Sequence, residues 1–546
     1  SYHEYYRASG GKNEFEDSET TAIRGQLAGD HERLSWNLKV GYLDQDIANN
    51  PFQAVGGFWN SPDEVFVTPC QGALKNCVNT LGLNVADRDG DPYTHDFQES
   101  RVNEMKINSD VTTVNFTLDY EFENVTLKSI TGYRDMDSES YRDADNDPIN
   151  YFSVGSAFDV QQYSQEFLLS NDLGGSLDWL AGLYYLYEDG DHFSSVTVGE
   201  GLYEAIGSIP LDLTLDYHRN QETTSYAAFF NTTWHMNDAT RLNLAARYTY
   251  DDKELDMYTI KRASQTPILI PGPTDPSSCS DAVADGVGSS VYCDDDWDEF
   301  SPRIGIDYDF SEDIMGYASI SAGFRSGVYN GRPTATSQVS VADPETLWSY
   351  EVGLKSQFWN NRLQINGAIF YNDYEDQQFL VNRPSASGAS ALALVVDNAA
   401  DSTMWGGEIE FTVLPAQGWT ISGGLAYIDP EYDEFDSVNP ATGELEDLSD
   451  REFANVPDWT ANLMAQYQHE FSNASKLRLR ADLSYKGEIF YTNDESSNSF
   501  DRLNADSYTI YNAGISYITS DDKWEFGVFG RNLGDEREIR GGFGVD

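Results

Sequence analysis

Two stretches of this chain place aspartate on alternate residues. DRDGDP supplies Asp87, Asp89 and Asp91, and DADNDP supplies Asp143, Asp145 and Asp147. Hard divalent cations need several carboxylate oxygens at close range, and D-x-D-x-D spacing looks like the first half of a calcium loop. Neither run has a glutamate at the twelfth position, so neither is an EF-hand. The expectation is calcium held in a surface loop, with no cofactor required by the chain. A third run, CDDDWDE, covers Asp294 to Glu299. The competing reading is a solvated acidic surface, natural in a chain of formal net charge -57.

A second kind of chemistry is written in loops that interleave aromatic side chains with Asn, Gln and Arg. These are NPFQAVGGFWNSP, NYFSVGSAF, GFRSGVYNGRP and EIFYTNDESSNSF. Rings stack and amides hydrogen-bond, so such loops suit capture of a polar organic small molecule. GFRSGVYNGRP gives the substrate-binding candidates Phe324, Arg325, Tyr329 and Asn330. The bland alternative is packing of loop on loop. The four cysteines form two close pairs in polar sequence, Cys70 with Cys77 and Cys279 with Cys293. Two pairs and no odd cysteine predict disulfides and an oxidising compartment. Zinc is disfavoured, since neither pair has a suitably spaced histidine. No G-x-S-x-G, P-loop or H-E-x-x-H occurs, and the seven histidines are scattered, so the chain does not read as an enzyme. The acidic balance repels phosphate and argues against nucleic acid as a partner.

What must position these residues is a repeating hairpin. In PETLWSYEVGLKSQFWNNRLQINGAIFYNDYEDQQ, Trp348, Tyr350, Val352, Leu354 and Phe358 alternate with polar residues, turn at Asn360-Asn361, and resume as Leu363, Ile365, Ile369 and Tyr371. The same pattern pairs 22–28 with 34–43, 111–120 with 125–133, 163–169 with 177–187, 226–234 with 242–250, and 303–310 with 315–324. It continues with 407–413 and 419–427, 459–471 and 477–485, and 508–518 and 524–529. That makes nine hairpins, or eighteen strands. Every turn is short and every join between hairpins is long and polar, so the long loops share one rim of one sheet.

Transmembrane β-barrels have this asymmetry: short periplasmic turns, long extracellular loops and an apolar outer face. The barrel must close, because an open edge in lipid strands backbone groups at several kcal/mol each. Trp234, Trp359, Trp419 and Phe471 lie beside short turns and fit an interfacial aromatic girdle. Tyr350, Val352, Leu354, Ile365 and Ile369 are expected to face lipid. Glu351, Lys355, Gln364 and Asn366 are expected to face the lumen, with Phe370 an inward exception. The first eight residues read as the tail of a further strand, and the last strand has no partner after it. The chain, 1–546, therefore reads as one barrel domain incomplete at both ends, with about 18–19 of its strands.

YASISAGFRSGVYNGRP, the hairpin above, NVPDWTANLMAQY, GVFGRNLGDERE and SQEFLLSNDLGGSLDWLAGLYYLYED together resemble the barrel of TonB-dependent outer-membrane receptors. Glu351, Gly353 and Lys355 match that family's E-x-G-x-K hairpin; Asn532, Leu533 and Asp535 match its N-L-x-D segment. The resemblance implies a 22-stranded barrel in the bacterial outer membrane, set in lipid and lipopolysaccharide. It also implies an N-terminal plug and TonB box, not found in this sequence, that engage the TonB–ExbB–ExbD energy-coupling complex. The expected activity is energy-coupled uptake of a scarce solute such as a ferric siderophore. The alternatives are a passive porin and a surface-binding structural barrel, to which the nine acidic residues of 429–450 would suit.

Overall fold

In the computed structural model, residues 4–7, 12–14, 18–48, 99–100, 106–143, 152–171, 174–198, 213–263, 266–269, 283–284, 289–331, 339–384, 392–439, 443–491 and 504–536 are described. They contain no helix. Among the described residues, eighteen antiparallel staves follow one another in chain order. The first nine are β1 (Ser18–His31), β2 (Leu34–Ala48), β3 (Lys106–Glu121), β4 (Val125–Asp143), β5 (Phe152–Asn171), β6 (Leu177–Val198), β7 (Leu213–Asn237), β8 (Thr240–Ala263) and β9 (Ser289–Ser311). The rest are β10 (Ile314–Arg325), β11 (Glu345–Phe358), β12 (Leu363–Pro384), β13 (Leu392–Val413), β14 (Trp419–Val438), β15 (Trp459–Glu470), β16 (Lys476–Lys486), β17 (Tyr508–Ile518) and β18 (Glu525–Gly530). Each pairs with the next, from β1 through to β18, in one sheet with the strand order of a barrel. Short strands at Thr266–Leu269, Val283–Ala284 and Leu445–Asp447 extend the sheet at the loop rim. All nine predicted hairpins are present.

One expectation fails at the N-terminus. Glu4–Arg7 is not the tail of a stave; it pairs with Lys12–Glu14 and, in parallel, with Glu99–Ser100, as a small separate sheet.

The apolar side chains predicted to meet lipid are on the outside. Val352 is 55% exposed and Ile369 67%, and Tyr350 and Leu354 are exposed too, while Ile365 is partly covered. On the other face Phe370 packs over Gly406, whose absent Cβ would lie 2.6 Å from the ring. Trp234, Trp359, Trp419 and Phe471 are all exposed at the short-turn end.

The staves run much further than expected at the loop end: β7 and β8 have 25 and 24 residues. About ten tilted residues cross a bilayer. The remainder stands above an outer ring of tyrosines, and there the pattern inverts. On β8 the inward Leu255 and Met257 are buried, whereas Glu254 and Asp256 are exposed on the outer face. Below the ring, oil is outside; above it, water is, so apolar residues turn inward.

Six Y-x-D sequences mark the crossing: Tyr42/Asp44, Tyr133/Asp135, Tyr187/Asp189, Tyr250/Asp252, Tyr371/Asp373 and Tyr427/Asp429. Several ring hydroxyls donate to carboxylates of this belt, as Tyr42 to Asp110 (2.7 Å), Tyr133 to Asp135 (3.0 Å) and Tyr187 to Glu222 (2.9 Å). An amphipathic ring at an interface, with its hydroxyl on the wet side, is what the boundary favours.

Candidate functional site: the extracellular mouth

The long-loop rim is organised by two apolar clusters on the inner face. The first gathers Leu255, Met257, Val291, Cys293, Trp297 and Tyr329, with Val339 and Val341 against it. The β10–β11 connection reaches it as a tiny hairpin, Val328–Tyr329 paired with Val341–Ala342. Lys253 fastens this hairpin: its Nζ donates to the Gly327 carbonyl (2.7 Å) and lies 5.5 Å from the Trp297 ring centre. The Tyr329 hydroxyl donates to the Lys253 carbonyl (2.8 Å). Burial lowers the Lys253 pKa. Burial first, then the nearby Asp295 and Asp294, pushes the Tyr329 hydroxyl well above its ordinary range. Gly327 must be glycine here, because a Cβ would overlap Trp297.

The second cluster holds Val381, Ala399, Ala400, Tyr432, Phe435 and Leu448, with Phe379 and Phe453 packed on it. Its aromatic pairs include Tyr432 stacked on Phe453 (4.0 Å) and Phe379 beside Phe435 (4.8 Å). A bulge between Tyr374 and Gln377 creates it. Asp376 takes a positive φ of 58° there. Bulges re-aim side chains, and this one turns Phe379 and Val381 inward while Leu380 is 56% exposed outside.

The sequence-predicted ligand residues do not converge on one open surface. Tyr329 and Asn330 are buried, at 6% and 5% exposure, and the Asn330 backbone N–H donates to Ser340. Phe324 sits on the parity of Ile320 and Ala322, towards the outer face, partly covered. Arg325 has the opposite parity; its side chain is 65% exposed and donates to the buried Glu345 (3.1 Å). Glu345 also accepts from the Gln378 backbone N–H (2.9 Å), so the carboxylate is fixed while the guanidinium keeps free edge.

Cys293 is in a disulfide. Its expected partner Cys279, together with Cys70 and Cys77, lies outside the described residues. So do Asp87, Asp89, Asp91, Asp145 and Asp147, and Asp143 is the last residue of β4. Sequence reading missed a tighter carboxylate group. Asp252, Glu254 and Asp294 bring their oxygens within 4.8 Å of one another on the outer face of β8 and β9. Only the register that sets Glu254 opposite Asp294 reveals it.

Replacing Trp297 by Ala is expected to loosen the first cluster by about 3–5 kcal/mol. The barrel below rests on other contacts, so the readout is local. Limited proteolysis should cut 326–344 at least ten times faster, with heat-modifiable gel mobility unchanged.

A family model described as TonB dependent receptor-like, β-barrel, matches residues 35–533. Over 149 residues the chain is 24% identical to a probable TonB-dependent siderophore receptor, PiuA, of Acinetobacter baumannii, covering 27% of this chain and 19% of that one. Among solved structures, the ferric yersiniabactin uptake receptor FyuA of Yersinia pestis superposes with TM-score 0.71 at 14% identity, over 100% of this chain and 70% of that one. The siderophore receptor PiuA of Acinetobacter baumannii superposes with TM-score 0.65 at 15% identity, over 95% of this chain and 71% of that one. The ferric-catecholate import receptor Fiu of E. coli gives 0.62 at 15% identity, over 96% and 72%.

Proposed function

Since the chain belongs to the TonB-dependent receptor-like β-barrel family, we propose that it is the barrel of an energy-coupled importer of the bacterial outer membrane. Its cargo in this reading is a scarce polar solute of the ferric-siderophore kind. The observation that carries the reading is the match to the receptor barrel over 35–533. The mouth adds support: two apolar clusters stiffen the rim, and Arg325 offers an exposed cation to an anionic or acceptor-rich ligand. Coupling to TonB would run through a plug within the barrel. A passive porin is not favoured by the same match.

The test is growth and uptake under iron limitation. Deletion of the gene should abolish uptake of at least one radiolabelled ferric siderophore, and removal of TonB should do the same. Uptake that persists without TonB would return the chain to the passive class. Arg325→Gln should weaken binding of that cargo about tenfold, the equivalent of roughly 1.4 kcal/mol. Wild-type affinity in the variant would remove Arg325 from the site.

A further inference from the structure

The outer wall above the tyrosine ring carries a feature that solute import does not use. Register sets Glu139 opposite Ala157, Ala157 opposite Phe193, Phe193 opposite His218 and His218 opposite Tyr258. Ala157 is the one methyl in a row of large side chains, so the wall is indented there. The indentation belongs to a cleft of about 340 Å³. One row nearer the membrane lie Asp137, Asp159, Asp191, Asn220 and Asp256, again directly opposite one another. Two residues further down come Asp135 and Asp189, and then the ring itself, Tyr133, Tyr163 and Tyr187.

We propose that this cleft is a saccharide-binding site, seated over Ala157 between Glu139 and the Phe193 ring. The chemistry of its walls selects the class. Phe193, His218 and Tyr258 form a continuous aromatic wall, with ring centres 4.9 and 4.5 Å apart. It offers an apolar face to a ligand at the Phe193 end. The lower rim offers acceptors: Asp137, Asp159 and Asp191 are exposed. Asn220 donates to Asp189 (3.0 Å) and Asp191 (3.1 Å), which steadies that edge.

A ligand for this place needs one apolar face, several hydroxyl or ammonium donors and no negative charge. A neutral or amino pyranose meets all three conditions. Its C–H face covers a ring, and its hydroxyls donate to carboxylates. A phosphate-bearing headgroup meets repulsion from the acidic rows. The Arg219 guanidinium, whose residue also lines the cleft, turns to the opposite face, where a Cβ on Gly331 would overlap it. A bare cation would use the carboxylates and leave the aromatic wall idle. The cleft, with its acidic rim four residues and Ala157 six residues beyond the tyrosine ring, is at the level where headgroup sugars of an outer-leaflet glycolipid lie. A free saccharide reaching the surface has the same chemistry.

The two sources separate in one experiment on the full chain purified in an amine-oxide detergent. Native mass spectrometry is run with monoglucosyl diacylglycerol and with phosphatidylglycerol, and calorimetry with methyl glucoside. Retention of the glucosyl lipid without phosphatidylglycerol supports the site. If methyl glucoside also binds, free saccharide is the source; if it does not, the lipid is. Ala157→Trp, which fills the cleft, and Phe193→Ala, which removes the wall, should each lower retention at least tenfold. Both positions face outward, and heat-modifiable mobility reports whether the barrel has formed. Binding of neither sugar probe, equal retention of phosphatidylglycerol, or undiminished retention in both folded variants overturns the proposal.

Discussion

A lysine in place of Val352 is expected to destabilise the barrel by about 2–4 kcal/mol, the cost of that charge on the lipid face near the midplane. Val352 lies at the middle of β11, 55% exposed, with Ala318 opposite on β10 and Ile369 opposite on β12. No carboxylate shares that face at that depth on the two neighbouring staves, so a lysine there can neither pair nor stay hydrated. Ser319 is the control. It lies one residue along β10, opposite Glu351, on the lumen side. A lysine at 319 keeps its water and gains a carboxylate, so Ser319→Lys should change stability by less than about 1 kcal/mol. Urea unfolding in phospholipid vesicles, followed by tryptophan fluorescence, measures both. An equal cost at the two positions, or a larger one at 319, would contradict the membrane assignment and the register together, since a one-residue slip exchanges the faces.

Below the tyrosine ring the sequence was transparent, because one physical rule governs every stave there. The expected 508–518 coincides with β17, and the expected starts at Val125, Leu177, Trp419 and Trp459 are the observed ones. Above the ring the same reading stopped short. The expected 226–234 became Leu213–Asn237, since water lies outside and a packed mouth inside. The alternation is still present there, in Glu254, Leu255, Asp256 and Met257, but with its faces exchanged. A reader looking for oil on the outside takes it for loop.

The mouth was less legible for a different reason. Aromatics in a loop satisfy a ligand and a local core equally well, and composition cannot separate the two. Tyr329 went to the core because Trp297, thirty-two positions earlier, stands beneath it, with ring centres 6.0 Å apart. Asp252, Glu254 and Asp294 were invisible as a group because cross-strand register, not spacing, unites them.

Gly353→Ala is expected to cost about 3 kcal/mol, against the usual sign for its place. A glycine inside a strand ordinarily loses roughly 0.5–1 kcal/mol relative to alanine, so the substitution would normally help. Here Tyr317 stands directly opposite on β10, and its ring lies over the bare backbone of Gly353, where a Cβ would overlap it. Glu351 and Lys355 flank that glycine on the same face. The Tyr317 hydroxyl donates to Glu351 (2.6 Å), and the Lys355 ammonium sits 5.6 Å from the ring centre. The E-x-G-x-K hairpin is thus a seat for one tyrosine: the glycine is the floor, the carboxylate the acceptor and the ammonium a cation beside the ring. Displacing the ring forfeits a hydrogen bond to a charged group, worth about 1.5–3 kcal/mol, and adds overpacking of about 1–3 kcal/mol. A double-mutant cycle isolates the seat. Once Tyr317→Ala has removed the ring, Gly353→Ala should become neutral or stabilising. The two changes should therefore couple by at least about 2 kcal/mol in vesicle unfolding. Additive effects would mean that Gly353 is fixed by something other than Tyr317.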